Sequence, residues 1–288
     1  MTVEDKTIHR FRKAITSLDL DDDCFERYSH GDVEFIGLQQ LADHILHELQ
    51  QGSGIVWLQG FPAADFTVAQ MKFFFLVVGA AMGQTMGNYG RLYDVRDYGG
   101  SYETERIPVS QTRAATGLHT DSSALDVLPD MVGLICIRAA AEGGSSRVAC
   151  AIRAYLKLQK FKNQHLSLLE NPHLRDIVTP GADQSQRLRN QFPVFSTDPD
   201  RGLICRYMRF WIEKGYEKAK VPVPEGLSEA LDTLDRCLEE EDSVANFRLQ
   251  RGEMLWVDNC TTLHDRTEYV DDPEAPRLLL RQWVKHSD

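Results

Sequence analysis

His119 and Asp121 stand two residues apart in the stretch Gly117-Leu118-His119-Thr120-Asp121-Ser122-Ser123. On an extended strand, residues so spaced leave the same face, and the pair can hold one ion between them. A third donor is offered by His264, which follows the apolar strand-like run Met254 to Val257 by way of Asp258-Asn259-Cys260-Thr261-Thr262-Leu263. Two imidazoles and one carboxylate on one side of a cation leave its other side open to reactants. His-x-Asp also arises in ordinary turns, with the Asp bonded to backbone, so the pair alone is not diagnostic. Two arginines add weight: Arg277 and Arg281 lie four apart in the strand pattern Pro276 to Val284, and so share one face. A charge on an apolar strand is costly to bury without a partner, and a guanidinium fork suits a carboxylate.

These residues need a framework. Leu38, Leu41, Ile45 and Leu49 recur at helical spacing between Phe35 and Gln50, with Gly52 and Gly54 ending the helix. His44 and His47 on that helix have no carboxylate partner in prospect and read as surface or packing residues. Gly54 to Leu58 reads as a strand, and a second helix starts at Thr67 as its cap, packed by Phe73 to Val78. Arg91 to Val95 is a short strand, and Asp97 to Arg113 a polar loop leading into the His119 motif. Asp130 to Arg138 and Ser146 to Cys150 read as strands around the Gly143-Gly144 turn. Ala151 to Gln164 reads as a helix, 163–199 as a long insert, Leu203 to Tyr207 as a strand and Leu227 to Glu240 as an amphipathic helix. No repeat, linker or second domain is visible, so 1–288 is expected to be one domain.

The chain has 288 residues, 42% of them hydrophobic and 26% charged, enough for one large core. A net charge of −11 argues against nucleic acid or an anionic membrane as main partner. The acidic runs Asp19 to Asp23 and Glu239 to Asp242 read as solvated surface. Six cysteines, at 24, 136, 150, 205, 237 and 260, show neither Cys-x-x-Cys nor zinc-type spacing, which predicts reduced thiols and a cytoplasmic setting. Met1 to Arg12 carries no apolar leader, and Met71 to Met82 is too short to span a bilayer. Homo-oligomerisation is left open.

The order His119-x-Asp121, His264, then Arg277 resembles the Fe(II)/2-oxoglutarate-dependent dioxygenases of the taurine dioxygenase family, in the clavaminate-synthase-like superfamily. Pro129 to Cys136, Glu142 to Ser146, Cys205 to Phe210 and Asp258 to Thr267 fall in the order that family shows, and the likeness runs from about Gly54 to Lys285.

The resemblance implies an α+β fold, a double-stranded β-helix (jelly roll) core with flanking helices, and Fe(II), 2-oxoglutarate and O2 as cofactors. It implies iron held by His119, Asp121 and His264, and the far carboxylate of 2-oxoglutarate held by Arg277 and Ser146. The expected reaction releases succinate and carbon dioxide and hydroxylates a small carboxylate-bearing metabolite such as an amino acid. Desaturation or ring closure by the same cofactors is an alternative outcome. Asp121 disfavours halogenation, because halogenases of the superfamily replace that carboxylate by a small residue. Arg281, and less directly Arg209, Tyr102 and Gln111, are candidates for substrate contact, with Tyr93 and Tyr98 as further loop candidates; the plainer role for the tyrosines is packing the loop. The insert 163–199 is expected to cover the site. Two other classes fit parts of the pattern. A zinc hydrolase or isomerase would use the same three ligands but leave Arg277 and Ser146 without a task. A non-catalytic jelly-roll binding protein would leave the whole open face unused.

Overall fold

The computed structural model describes residues 1–16, 18–21, 37–88, 90–105, 107–176 and 191–286. Cys24, Asp22-Asp23, the first residues of the helix expected from Phe35 and the 177–190 part of the insert lie outside these. In chain order the main elements are α1 (Asp5–Ile15), α2 (Gln39–Gln51), β1 (Ile55–Leu58), α3 (Val68–Met82), β2 (Gln84–Thr85), β3 (Tyr93–Val95) and β4 (Met131–Arg138). There follow β5 (Glu142–Gly143), β6 (Ser146–Cys150), α4 (Ala151–Phe161), α5 (Asn163–Leu169), β7 (His173–Leu174), β8 (Gln191–Phe192), β9 (Phe195–Asp198) and β10 (Gly202–Cys205). The last are α6 (Arg209–Ala219), α7 (Leu227–Leu238), β11 (Val244–Phe247), β12 (Met254–Asp258), β13 (Thr262–Arg266), β14 (Tyr269–Val270) and β15 (Leu278–Lys285).

The chain thus combines helices with antiparallel sheets. A larger sheet runs β1-β12-β4-β15-β2, with β3 also paired to β15, and a smaller one runs β11-β6-β13. Alternation along the central strands separates two faces of the larger sheet. Met131, Ile135 and Ile137 of β4, Met254 and Trp256 of β12, and Leu278, Leu280 and Val284 of β15 pack with α1, α2 and α3 in one core. The intervening Val132, Cys136, Leu255, Val257, Leu279 and Trp283 turn to the other side, where they share a cluster with Val148 of β6. The two sheets therefore meet across that second face.

Helix α3 is buried around most of its circumference because it lies between α2 and the sheet. Its start is a capping box: Gln70 N–H donates to Thr67 Oγ1 (3.2 Å) and Thr67 N–H to Gln70 Oε1 (3.0 Å). Gly79 lets it approach β15, since a Cβ there would collide with the Gln282 amide. A third core joins α4, α5 and α7 to β10 and takes in Leu118 and Leu263, the residues before the two candidate histidine ligands. Burial holds the thiols of Cys136 and Cys260 up at about 11 and about 12, so they stay protonated and behave as small hydrophobes.

Several boundaries move by a few residues from those read in the sequence. The larger differences are two. The residues expected as a helix to Gln164 form α4 and α5 with a break at Lys162. The start of the insert 163–199 is therefore a helix packed on α4 and α7, and Gln191–Phe192 and Phe195–Asp198 form β8 and β9, so much of the described part of the insert is regular structure. Among the described residues no helix is long and apolar enough to cross a membrane.

Candidate active site

His264 sits in the middle of β13, hydrogen-bonded through β6 to the smaller sheet, with His264 opposite Val148. His119 attaches to its other edge by a single bridge: His119 N–H donates to His264 O (3.1 Å) and His264 N–H to His119 O (2.8 Å). The expected extended strand through Asp121 is not formed. The chain leaves the bridge into a turn at Asp121, and Ser122 takes a left-handed φ of 54°. What turns the Asp121 carboxylate toward the histidines is a fully buried amide. Asn259 Oδ1 accepts from Asp121 N–H (2.8 Å), and its Nδ2 donates to Asp121 O (3.1 Å) and Pro129 O (3.0 Å).

Three ligand-capable atoms converge there. Asp121 Oδ1 lies 3.7 Å from His119 Nε2 and 3.8 Å from His264 Nε2. All donor atoms of the trio fall within 4.8 Å of one another. The other carboxylate oxygen accepts from the Trp283 indole N–H (2.7 Å) and meets the Arg281 guanidinium (3.1 Å), which also reaches Oδ1 (3.3 Å). His119 Nδ1–H donates to Gly117 O (2.9 Å), which leaves the Nε2 lone pair for a cation. Burial pushes the His264 imidazole down to about 4, so it is a neutral donor at neutral pH. Burial alone would raise Asp121, but the Arg281 charge, the two histidines and Trp283 hold it below its ordinary value. One hard oxygen and two imidazole nitrogens suit Fe(II), and Zn(II) as well.

The trio opens into a cavity whose envelope, with the open solvent at its mouth, is about 1000 Å³. Arg277, Ser146 and Arg281 all line it. Arg277 is 3% exposed; its ring neighbour is Tyr269, with the guanidinium 4.9 Å from the ring centre, and its Nη1 meets no acceptor among the described residues. Burial lowers its pKa from the ordinary arginine value. Ser146, also buried, begins β6 opposite Arg266. Arg281 is drawn to Asp121, with its guanidinium over both Tyr93 and Trp283.

The weaker candidates fall elsewhere. Arg209 is taken up by Glu213, Asp232 and Asp235, each at 2.7 Å, and borders a separate surface pocket. Its charge is already matched three times, which removes the reason to assign it an anionic substrate. Tyr102 packs edge-on against Phe210 and its hydroxyl reaches Ala115 O (3.5 Å); neither it nor Gln111 lines the cavity. Gln111 O accepts from Tyr98 N–H (3.0 Å), Tyr98 packs under Arg96, and the Tyr93 hydroxyl accepts from Ser110 (3.3 Å), so these side chains serve the loop. The loop itself does reach the cavity through Pro108, Val109 and Ser110, its end tied down by Arg266 donating to Val109 O, Thr112 O and Ala114 O.

Sequence reasoning missed Trp283, Asn259, Trp211 and Asp176. Trp283 was within reach, because it shares the odd-numbered face of β15 with Arg281. Asn259 lay inside a matched motif without an assigned task. Asp176 and Trp211 carry no local pattern that points to a site.

Sheets packed face to face, with a two-histidine, one-carboxylate corner opening into a cavity, fit one class: a non-haem metal centre with room for reactants. The chain belongs to the taurine catabolism dioxygenase TauD, TfdA family, whose model matches residues 27–283. It is therefore placed among dioxygenases. FR-33289 synthase of Streptomyces rubellomurinus (strain ATCC 31215) is 28% identical over 263 residues, covering 85% of this chain and 73% of that protein. A uridine-5'-phosphate dioxygenase of an Amycolatopsis species is 28% identical over 200 residues, 66% of this chain and 70% of its own. Among solved structures, asparagine oxygenase in complex with Fe(II), 2S,3S-3-hydroxyasparagine and succinate superposes with TM-score 0.74 at 20% identity, covering 99% of this chain and 92% of that one. The non-heme iron oxygenase OrfP with Fe and alpha-ketoglutaric acid gives 0.70 at 13% identity, covering 100% and 93%. At these identities the structures speak for the fold alone.

Proposed function

We propose that the protein is an Fe(II)/2-oxoglutarate-dependent oxygenase that hydroxylates a small carboxylate-bearing metabolite, with an amino acid as the leading class. In this reading His119, Asp121 and His264 hold the iron, and Arg277 with Ser146 holds the far carboxylate of 2-oxoglutarate. The whole of 1–288 is taken as one domain around a double-stranded β-helix core, and of the described residues of the 163–199 segment Asp176 lines the cavity. One observation carries the reading: the buried Arg277 Nη1, without an acceptor among the described residues, in the same cavity as the metal corner. A cation so buried is kept at a cost unless a ligand anion completes it, and a dicarboxylate cosubstrate does so. The zinc hydrolase alternative accounts for the donor set and leaves that arginine idle.

Bound iron and 2-oxoglutarate supply an oxidative decarboxylation: one atom of O2 enters succinate as carbon dioxide leaves, and the other enters a substrate C–H bond as a hydroxyl. The chain's own contribution is placement. Asn259 fixes the Asp121 backbone, Trp283 fixes the outer carboxylate oxygen, and Arg281 spans both oxygens, which together orient Oδ1 toward the metal position. Leu134, Leu279 and Trp211 line the cavity with apolar surface that limits water. Arg281 thereby changes role, from an expected substrate contact to a group that steadies the carboxylate ligand.

The test is anaerobic titration with Fe(II) and 2-oxoglutarate, followed by the weak visible absorption of the chelate. The band is expected in the wild type and is expected to require far more 2-oxoglutarate in Arg277→Ala. A protein that forms no band and takes zinc tightly instead belongs to the hydrolase reading.

A further inference from the structure

The cavity contains a second buried charge that the reaction above leaves without a task. Asp176, 2% exposed, follows β7 and lines the same cavity as the metal corner. Its backbone N–H donates to Trp211 O (2.8 Å), and its Oδ2 is ion-paired with Lys218 of α6. Oδ1 is buried and meets no hydrogen-bond donor among the described residues. The other carboxylates in the lining are matched: Asp121 faces the histidines and Arg281, and Asp265 is held by Arg147 (2.9 Å).

A carboxylate oxygen in such a place requires a donor, and a charged donor matches it best. Lys218, itself 44% exposed in its side chain, serves the other oxygen only. With a single oxygen available, a planar guanidinium fork would find half its partner, whereas a compact ammonium with three donors is matched by one acceptor. Trp211 and Met208 line the cavity with apolar surface, which strengthens a charge pair formed there.

We propose that Asp176 Oδ1 receives a protonated primary amine of the substrate, so that the enzyme takes a small molecule carrying an ammonium group. This rests on reading the cavity as the oxygenase site. With Arg277 assigned to the cosubstrate and Arg281 to Asp121, Asp176 is the residue that sorts substrates by charge.

The experiment uses the full chain loaded anaerobically with Fe(II) and 2-oxoglutarate, the chelate band serving as a check on the loaded site. A panel of small primary amines, comprising α- and ω-amino acids, aminosulfonates and aminophosphonates, is compared with the N-acetyl form of each. Thermal shift is the first readout and succinate release on admitting air is the second. At least one free amine is expected to stabilise the protein and stimulate succinate release, with its N-acetyl form inert. Asp176→Asn, isosteric but uncharged, is expected to weaken that amine by about tenfold or more while 2-oxoglutarate binds as before. Lys218→Gln, which keeps a hydrogen-bond donor for Oδ2 and leaves Oδ1 as it was, is expected to lose less amine affinity than Asp176→Asn and to keep the preference for free amine over the N-acetyl form. An amine panel without effect, N-acetyl forms that act as well as free amines, or full amine affinity in Asp176→Asn each overturns the proposal. Equal losses in Asp176→Asn and Lys218→Gln would assign the aspartate to anchoring α6 instead. A missing chelate band in the wild type refutes the oxygenase reading itself; a normal band with a silent amine panel refutes the ammonium inference alone.

Discussion

The two faces of β15 and its neighbours make an instructive pair. On the face turned to α1, α2 and α3, Leu278, Leu280 and Val284 meet Trp256 and the phenylalanines of α3 in a dry core. On the other face, Leu279 and Trp283 share the strand with Arg281, and Arg277 enters just ahead of it, all lining the cavity. Both faces are buried, so depth does not distinguish them. What differs is the charge of the buried groups that lack a partner among the described residues. On the helix-covered face they are neutral, the Trp256 indole N–H and the Gln282 amide oxygen, whereas the cavity face retains a guanidinium nitrogen and a carboxylate oxygen. One face carries stability and the other carries binding.

That contrast is open to attack by mutation. His264→Ala is expected to abolish turnover and remove metal-dependent stabilisation. In the wild type, added Fe(II) or Mn(II) at a hundredfold excess over its dissociation constant raises stability by about 2.7 kcal/mol. Anaerobic calorimetry with and without metal reads both, and a metal-dependent shift surviving in the variant removes His264 from the site. Trp256→Ala, on the helix-covered face, is expected to lose about 3–5 kcal/mol of stability by denaturant unfolding, with 2-oxoglutarate affinity of the folded fraction unchanged. A change in cosubstrate affinity of similar size would mean that the two faces are coupled rather than divided.

Arg277→Ala is expected to do the reverse: a loss of about 2–5 kcal/mol in 2-oxoglutarate binding by the chelate titration, with little change in melting temperature. Cosubstrate affinity equal to wild type reassigns the arginine. The smallest effect belongs to Arg209→Ala. Its carboxylate partners are substantially exposed, so turnover is expected within about threefold of wild type and stability within about 1 kcal/mol. A selective rise in substrate KM in that variant would return Arg209 to the site.

Much of this was legible in the sequence because it depends on local period and order. Period two placed Arg277 and Arg281 on one face, and the structure puts both in the cavity. The helical spacing of Leu41, Ile45 and Leu49 produced α2, and Thr67 caps α3. The strand Ser146 to Cys150 has the bounds expected of it. Other parts were read less well. Arg209 and Arg281 look alike as arginines near apolar strands, yet one is neutralised by α7 and the other by Asp121. The local pattern around each shows only that a charge must be matched, not by which residue.

The sequence by itself determined the donor types, their order, the strand face of the arginines and the family to which such an order belongs. These follow from covalent spacing, which folding does not alter. Only the tertiary structure decided how the donors meet. His119 joins His264 through a bridge across 145 residues of chain, and Asn259, by bonding the Asp121 backbone, sets the carboxylate that a turn would otherwise leave unaimed. It also decided which buried charges remain open, Arg277 and Asp176 among them. Whether a charge finds its partner depends on every element that packs around it, and that sum is formed only when the chain has folded.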